Sequence, residues 1–391
     1  AMRNALTLLI ALGAVLTLGL AGCKSKDEEI GPGYDDDSVY LGVFVSKTGD
    51  IASFGGDTKN GVDLAVEEIN AAGGINGKKI DLRFEDTASD PQQGGNAATK
   101  LASGDSVFLA MGAVASGISL NAAPIFQEKG IPMISPSSTN PTVTQQGDMI
   151  FRICYLDDFQ GGACAVFASK DLKAKKAAIL SNQDDAYSTG LAKFFKSKFT
   201  ALGGEIVAEE SFKKGTSDFN TQISNIKGKG ADIIFVPAYY NDVALIAKQF
   251  RSQDIQTPLL GGDGWESANL TKNAGGALSG SYFGNHYSQE DKSEKVQNFV
   301  AAYKKKYGET PSSLAALGYD VVYVAKAAIE KAGAFDRAKV ADALRALTDF
   351  EGVTGKFSID KDRNARKPIS MLKIEGDRFV PVRQIAPSEV E

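Results

Sequence analysis

One histidine, His286, and three cysteines, Cys23, Cys154 and Cys164, are all that this chain of 391 residues offers of the side chains most used for nucleophilic, acid–base or metal chemistry near neutral pH. No G-x-S-x-G elbow, H-E-x-x-H helix or Walker loop occurs. A Ser-His-Asp triad would have to use His286, and no sequence feature supports one. So few Cys and His also argue against a metal site, and no cofactor is expected. The polar residues that stand out lie instead in short turns: Ala115-Ser116-Gly117, Ser135-Pro136-Ser137-Ser138-Thr139 and Gly261-Gly262-Asp263-Gly264. Hydroxyls and backbone N–H groups at a strand-to-helix turn suit an anion. Serine there is equally a helix N-cap, and an aspartate among glycines is, taken alone, a turn residue. The expectation is reversible binding, not catalysis.

The composition fits that expectation. Hydrophobic residues make up 43% and charged residues 23%, with a formal net charge of −5, as in ordinary globular proteins. Basic residues form no block for nucleic acid. The length suits two domains. At the N-terminus, Met2-Arg3-Asn4 precedes an apolar stretch from Leu6 to Leu20, too short for a confident membrane span. It ends in Leu20-Ala21-Gly22-Cys23, which resembles a lipobox. Residues 1–22 are therefore expected to be a signal peptide, with Cys23 acylated and residues 23–38 a flexible tether. Export implies an oxidising compartment, where Cys154 and Cys164 fit a disulfide and two buried free thiols equally well.

From Val39 onward, short β-branched runs alternate with helical patterns. Val39 to Val45 reads as a buried strand. Val62, Ala65, Val66 and Ile69 mark one face of a helix from Lys59 to Ala72. The alternation continues through strands near Ile80 to Phe84, Val107 to Met111, Ala177 to Leu180 and Asp232 to Val236. Late helices are expected at Glu294 to Tyr307, Ser313 to Ala332 and Arg337 to Leu347, and a β-rich tail after Gly355. Alternating β and α means parallel sheets with right-handed crossovers. There are too many units for one ordinary sheet, so an α/β fold of two doubly wound lobes is expected, with ligands at the carboxyl ends of the strands.

Several stretches resemble one family. They are Gly61-Val62-Asp63-Leu64-Ala65-Val66-Glu67-Glu68-Ile69-Asn70, Gly73-Gly74-Ile75-Asn76-Gly77, Asp86 with Asp90-Pro91, Gly130 to Pro141, and Asp157-Asp158-Phe159-Gln160-Gly161. In this order they are similar to the leucine/isoleucine/valine-binding family of periplasmic binding proteins, type I fold, over about residues 39 to 385. The resemblance implies two Rossmann-like lobes joined by three crossovers, near Tyr155 to Asp158, Gly284 to His286 and Asp360 to Asn364. Lobe one would be 39–156 plus 286–362, and lobe two 157–285 plus 363–391.

The resemblance also implies a site for an amino-acid zwitterion. Ser116 and Thr139 match the carboxylate-binding positions, and Ser137 the carbonyl offered to the ammonium. From lobe two, Tyr187 would cover the ammonium by a cation–π contact, Asp263 would pair with it, and Tyr239 would wall the pocket. Some family members carry Glu in place of Asp263. Phe54 matches an aromatic wall that is often Trp, which leaves more room here. Leu314 matches a further pocket position, and Trp265 is expected to lean into the cleft. The absence of a basic residue favours a neutral ligand side chain. The implied function is the substrate-binding component of an ABC importer, a monomer meeting a membrane permease and its ATPase, with no nucleic acid as partner. A lipoprotein for another small carboxylate or amide, or one that feeds a sensor, is the alternative.

Overall fold

The computed structural model describes residues 31–391. The expected signal peptide, Cys23 and residues 24–30 of the expected tether lie outside them.

Strands β1 (Ser38–Val45), β2 (Lys79–Asp86), β3 (Leu109–Gly112), β4 (Met133–Ser135) and β5 (Ile150–Arg152) form a sheet in the order β2-β1-β3-β4-β5. Every pairing in it is parallel. Its inner strand β1 is buried along most of its length, with Leu41, Val43 and Phe44 almost wholly enclosed, as expected for a sheet covered on both faces. Strands β6 (Lys176–Asn182), β7 (Glu205–Phe212), β8 (Ile233–Phe235), β9 (Leu259–Gly261) and β10 (Tyr282–Asn285) repeat the order as β7-β6-β8-β9-β10, again all parallel. Strands β11 (Phe350–Gly352), β12 (Gly355–Ile359) and β13 (Ala365–Arg366) make a small antiparallel sheet. The chain then returns to the second sheet, where β14 (Ile369–Glu375) and β15 (Arg378–Ile385) add antiparallel strands beyond β10.

In both parallel sheets the strand order reverses beside the first strand, β1 or β6, so each has a crevice at its carboxyl edge. The first lies between β1 and β3, the second between β6 and β8. These two edges face each other. The first lobe is completed by residues far along the chain. Helix Ser313–Ala332 lies against helix Ala52–Ala71 at backbone contact. A Cβ on Gly61 would stand 1.9 Å from the Ala315 carbonyl oxygen, and one on Gly318 2.2 Å from that of Thr58. Only glycine permits this approach.

Two expectations change. Helix Ala52–Ala71 begins well before Lys59 and so carries Phe54 in its first turn. The expected tether ends earlier than residue 38. The Tyr34 ring packs on Phe335 at 5.2 Å and Phe108 at 6.3 Å, and Arg337 donates to the Gly31 carbonyl at 2.9 Å. Burial of an aromatic ring and a satisfied guanidinium fix residues 31–38 to the body, despite a composition that reads as linker. Among the described residues no helix is long and apolar enough to cross a membrane.

Candidate functional site

Three turns of the first lobe supply one wall of the cleft. After β1, helix Ala52–Ala71 places the Phe54 ring. After β3 comes Val114, with Ser116 opening helix Ser116–Glu128. After β4 comes the run from Ser135 to Asn140. That run is held by a dense polar network. Ser138 Oγ donates to the Val114 carbonyl at 2.9 Å and lies 2.8 Å from Ser119 Oγ. Ser135 Oγ donates to the Ala113 carbonyl at 2.8 Å. Ser116 Oγ accepts from the Asn140 N–H at 3.2 Å. Beneath it, fully buried Arg152 donates to the carbonyls of Ser138 and Asn140 and to Thr144 Oγ1. A buried guanidinium is tolerable when carbonyls receive its fork.

The second lobe supplies the opposite wall. Tyr187 lies at the start of helix Ala186–Ala201, after β6. Tyr239 follows β8 and Asp263 follows β9. The Tyr187 hydroxyl accepts the Gly264 N–H at 3.1 Å. Its ring stacks on Tyr239 at 5.1 Å, and Tyr239 meets Phe54 of the other lobe edge-to-face at 5.9 Å. Gln160 Oε1 accepts the Asp263 N–H at 2.8 Å. Asp263 Oδ2 lies 2.8 Å from Nε2 of His286, which is itself buried and stacked on Tyr155 at 3.9 Å. Asp263 Oδ1 is buried and has no partner among the described residues.

Phe54, Val114, Ser116, Ser137, Thr139, Tyr187, Tyr239, Asp263, Gly264 and Leu314 line one small cavity between the lobes. Eight of these were expected from the sequence. Trp265, the ninth expected residue, does not line it. Its indole N–H donates to the Val236 carbonyl at 2.9 Å and its ring faces Phe283 in the core of the second lobe, because a large apolar ring with one donor is best satisfied inside. Cys154 and Cys164 are free and buried, so the pairing left open by the sequence is not made. Each thiol has its own acceptor: the Ser138 carbonyl for Cys154 at 3.4 Å, the Gly261 carbonyl for Cys164 at 3.6 Å. Burial pushes the Cys154 thiol up to about 12 and that of Cys164 higher still.

The sequence did not point to Arg152, Asp157, Gln160 or His286 as parts of the site. Asp157 is fully buried, accepts from Gln160 Nε2 at 3.2 Å, and leaves Oδ2 unpartnered. Burial, and then the Asp263 charge, push its carboxyl well above the usual carboxylate range. The motif containing Asp157 was visible, but its role depends on contacts across the fold. His286 carried no local signal at all.

The lobes meet around the cavity. Asn140 Nδ2 donates to the Ala186 carbonyl at 2.8 Å, Ser53 and Ser267 hydroxyls lie 2.8 Å apart, and Tyr240 donates to the Asp50 carbonyl at 3.1 Å. Glu266 accepts the Ser313 N–H at 2.8 Å and its hydroxyl, at the start of helix Ser313–Ala332. This is a closed cleft.

Two doubly wound lobes closed on a small polar cavity define a solute-binding fold. Residues 38–378 match the family model described as periplasmic binding protein, and the chain belongs to that family. A Leu/Ile/Val-binding protein homolog 3 of Brucella melitensis is 30% identical over 366 residues, covering 93% of this chain and 95% of that one. The solved leucine binding protein LivK of Thermotoga maritima is 36% identical with a TM-score of 0.87, covering 90% of this chain and 99% of that one. The branched-chain amino acid transporter substrate binding protein LivJ of Streptococcus pneumoniae, solved in complex with isoleucine, is 34% identical with a TM-score of 0.84, covering 88% and 99%. The two-lobed type I fold is thus shared with these proteins.

Proposed function

We propose that this chain is the extracytoplasmic substrate-binding component of an ABC-type importer for a neutral amino acid, which it holds in the cleft by hinge closure. The observation that carries this reading is the unpartnered Oδ1 of Asp263 on a cavity whose opposite wall is lined by Ser116, Ser137 and Thr139. A buried carboxylate oxygen without a donor costs free energy that a ligand cation removes. An ammonium there and a carboxylate against the hydroxyls and N–H groups of lobe one satisfy both ends of a zwitterion. Tyr187 covers the cationic end. Phe54, Val114, Tyr239 and Leu314 leave an apolar surround for the side chain, and Asp263 is the one charged residue among the lining, which selects against charged side chains.

The lobes are 39–156 plus 286–362 and 157–285 plus 363–391, bending at the three crossovers. Ligand bridges both walls only when they meet, so it shifts the population toward closure, and the closed form docks on the permease and its ATPase. The protein acts as a monomer, without catalysis, held at the membrane by acylated Cys23 after removal of residues 1–22.

A thermal-shift screen of protein stripped of ligand by unfolding and refolding tests the reading. A ligand present at a thousand times its Kd stabilises by about 4 kcal/mol, a rise of several degrees. One or a few neutral L-amino acids should give it. A rise with a carboxylate lacking an ammonium, and with no amino acid, would overturn the role given to Asp263.

A further inference from the structure

His286 sits where the second crossover leaves β10, and its imidazole reaches back to the cleft. Its Nε2 lies 2.8 Å from Asp263 Oδ2, while its Nδ1 is buried without a partner. An ionised carboxylate at that distance requires a donor, so the proton is on Nε2. The ring is fixed from one further side: Tyr155, in the first crossover, stacks on it at 3.9 Å and 21°. The His286 backbone N–H donates to Asn285 Oδ1 at 2.8 Å. Burial holds the imidazole below its ordinary basicity, against the pull of Asp263 and with help from the Lys367 charge. Inside a closed cleft it is therefore neutral, and the whole negative charge of Asp263 is left to the ligand.

We propose that His286 is the positioning residue of the ammonium anchor: its Nε2–H turns Asp263 so that Oδ1 faces the cavity, where an ammonium binds it. This rests on the reading of Asp263 given above. Two consequences follow. Removing the Nε2 donor frees Asp263 to rotate, and amino-acid affinity falls. Protonating the imidazole sets a cation beside the anchor, so amino-acid affinity also falls once the pH drops below the ordinary histidine value near 6.5. A ligand without an ammonium does not feel either change in the same way.

The groups that face the imidazole are Asp263 from the turn after β9, Tyr155 from the first crossover and Lys367 from the turn between β13 and β14, with Asp157 close to Asp263 on the helix that follows Tyr155. Other carboxylates buried on closure titrate too, and with the opposite sign, so the comparison of two variants isolates His286. His286→Gln keeps an N–H donor and cannot titrate. His286→Phe keeps a ring against Tyr155 and has no donor.

The test is calorimetric titration of the full chain, stripped of ligand, with L-leucine and with its 2-hydroxy analogue from pH 5 to 8. At pH 7.5 His286→Phe should bind L-leucine at least about tenfold more weakly than wild type, the scale of one hydrogen bond to a charged group, and His286→Gln should recover most of that loss. Below pH 6 the ratio of wild-type to His286→Gln affinity for L-leucine should fall toward tenfold per pH unit, and the ratio for the hydroxy analogue should stay flat. Equal L-leucine affinity for His286→Phe and wild type, or a His286→Gln profile parallel to wild type, would overturn the proposal. Asp263→Ala, run alongside, separates the two readings: unchanged L-leucine affinity there overturns the anchor itself, whereas its loss with His286→Phe unaffected overturns only the role of His286. If His286→Phe does not fold, the His286→Gln profile decides alone.

Discussion

The two walls of the cleft are built on different principles. The first-lobe wall is polar and, apart from Arg152 Nε, nearly saturated: Ser119, Ser135, Ser138 and Arg152 spend their hydrogen bonds on the backbone of the turns that face the cavity. The second-lobe wall and the crossovers behind it gather orphaned atoms: Asp263 Oδ1, Asp157 Oδ2, Tyr155 Oη and His286 Nδ1. A saturated network fixes geometry before the ligand arrives. A deficient one is destabilised until something supplies the missing donor. Position is thus stored in one lobe and demand for a ligand in the other. Mutations on the two sides should separate stability from affinity.

Asp263→Ala should give the largest effect, a rise in Kd for a neutral amino acid of at least about a hundredfold, as expected when a buried charge loses its partner. The Tm of the unliganded protein should change little, because removal of the unpartnered Oδ1 offsets loss of the Oδ2 contact with His286. A loss of Tm with affinity intact would reverse the contrast between the walls. Arg152→Met should behave in the opposite way. It takes the guanidinium donors from the Ser138 and Asn140 carbonyls, which keep only the Cys154 thiol and the Val143 N–H, and should cost roughly 3 kcal/mol of stability, read from the urea midpoint. No change in midpoint would show that the first wall does not depend on its guanidinium.

Glu266→Gln should be the mildest. Burial pushes the Glu266 carboxyl up to about 7 when the lobes are together, from an ordinary 4.5. In an open cleft it ionises near the ordinary value. Closure therefore takes up a proton between those limits and is favoured as the pH falls through that window, with no further gain below 4.5. The variant lacks this group, so its ligand affinity should rise less on acidification than that of wild type, by a few-fold at pH 5.5. A parallel pH dependence would remove Glu266 from closure.

Much of the scaffold was readable from periodicity. Helices Glu294–Tyr307 and Ser313–Ala332 have the expected limits, since an apolar stripe runs between clear ends, Gly308 and Gly333 in left-handed conformation. Helix Ala52–Ala71 was read late because Ile51 offers no capping side chain and glycines fill its first turns. Gly55 is there for tertiary reasons, since a Cβ would meet the Ser46 carbonyl at 2.0 Å. Three-residue strands such as β5 and β11 are too short for any pattern. The cavity residues were legible only through an ordered set of motifs resembling a known family. Trp265 shows the limit of that route: one position from Gly264, which lines the cavity, a ring turns into the core. His286 and Arg152 act through partners distant in sequence, and no local rule points to them.

The stacking of the lone imidazole on Tyr155 has a spectroscopic consequence. With a single histidine in the chain, its ring C–H protons give one pair of proton NMR signals, assigned without labelling or mutagenesis. A phenol ring with its centroid 3.9 Å away shields them, so closed protein should resonate upfield of an ordinary histidine. Any motion that slides the first and second crossovers past each other moves the line, and the state of the hinge becomes visible at natural isotopic abundance.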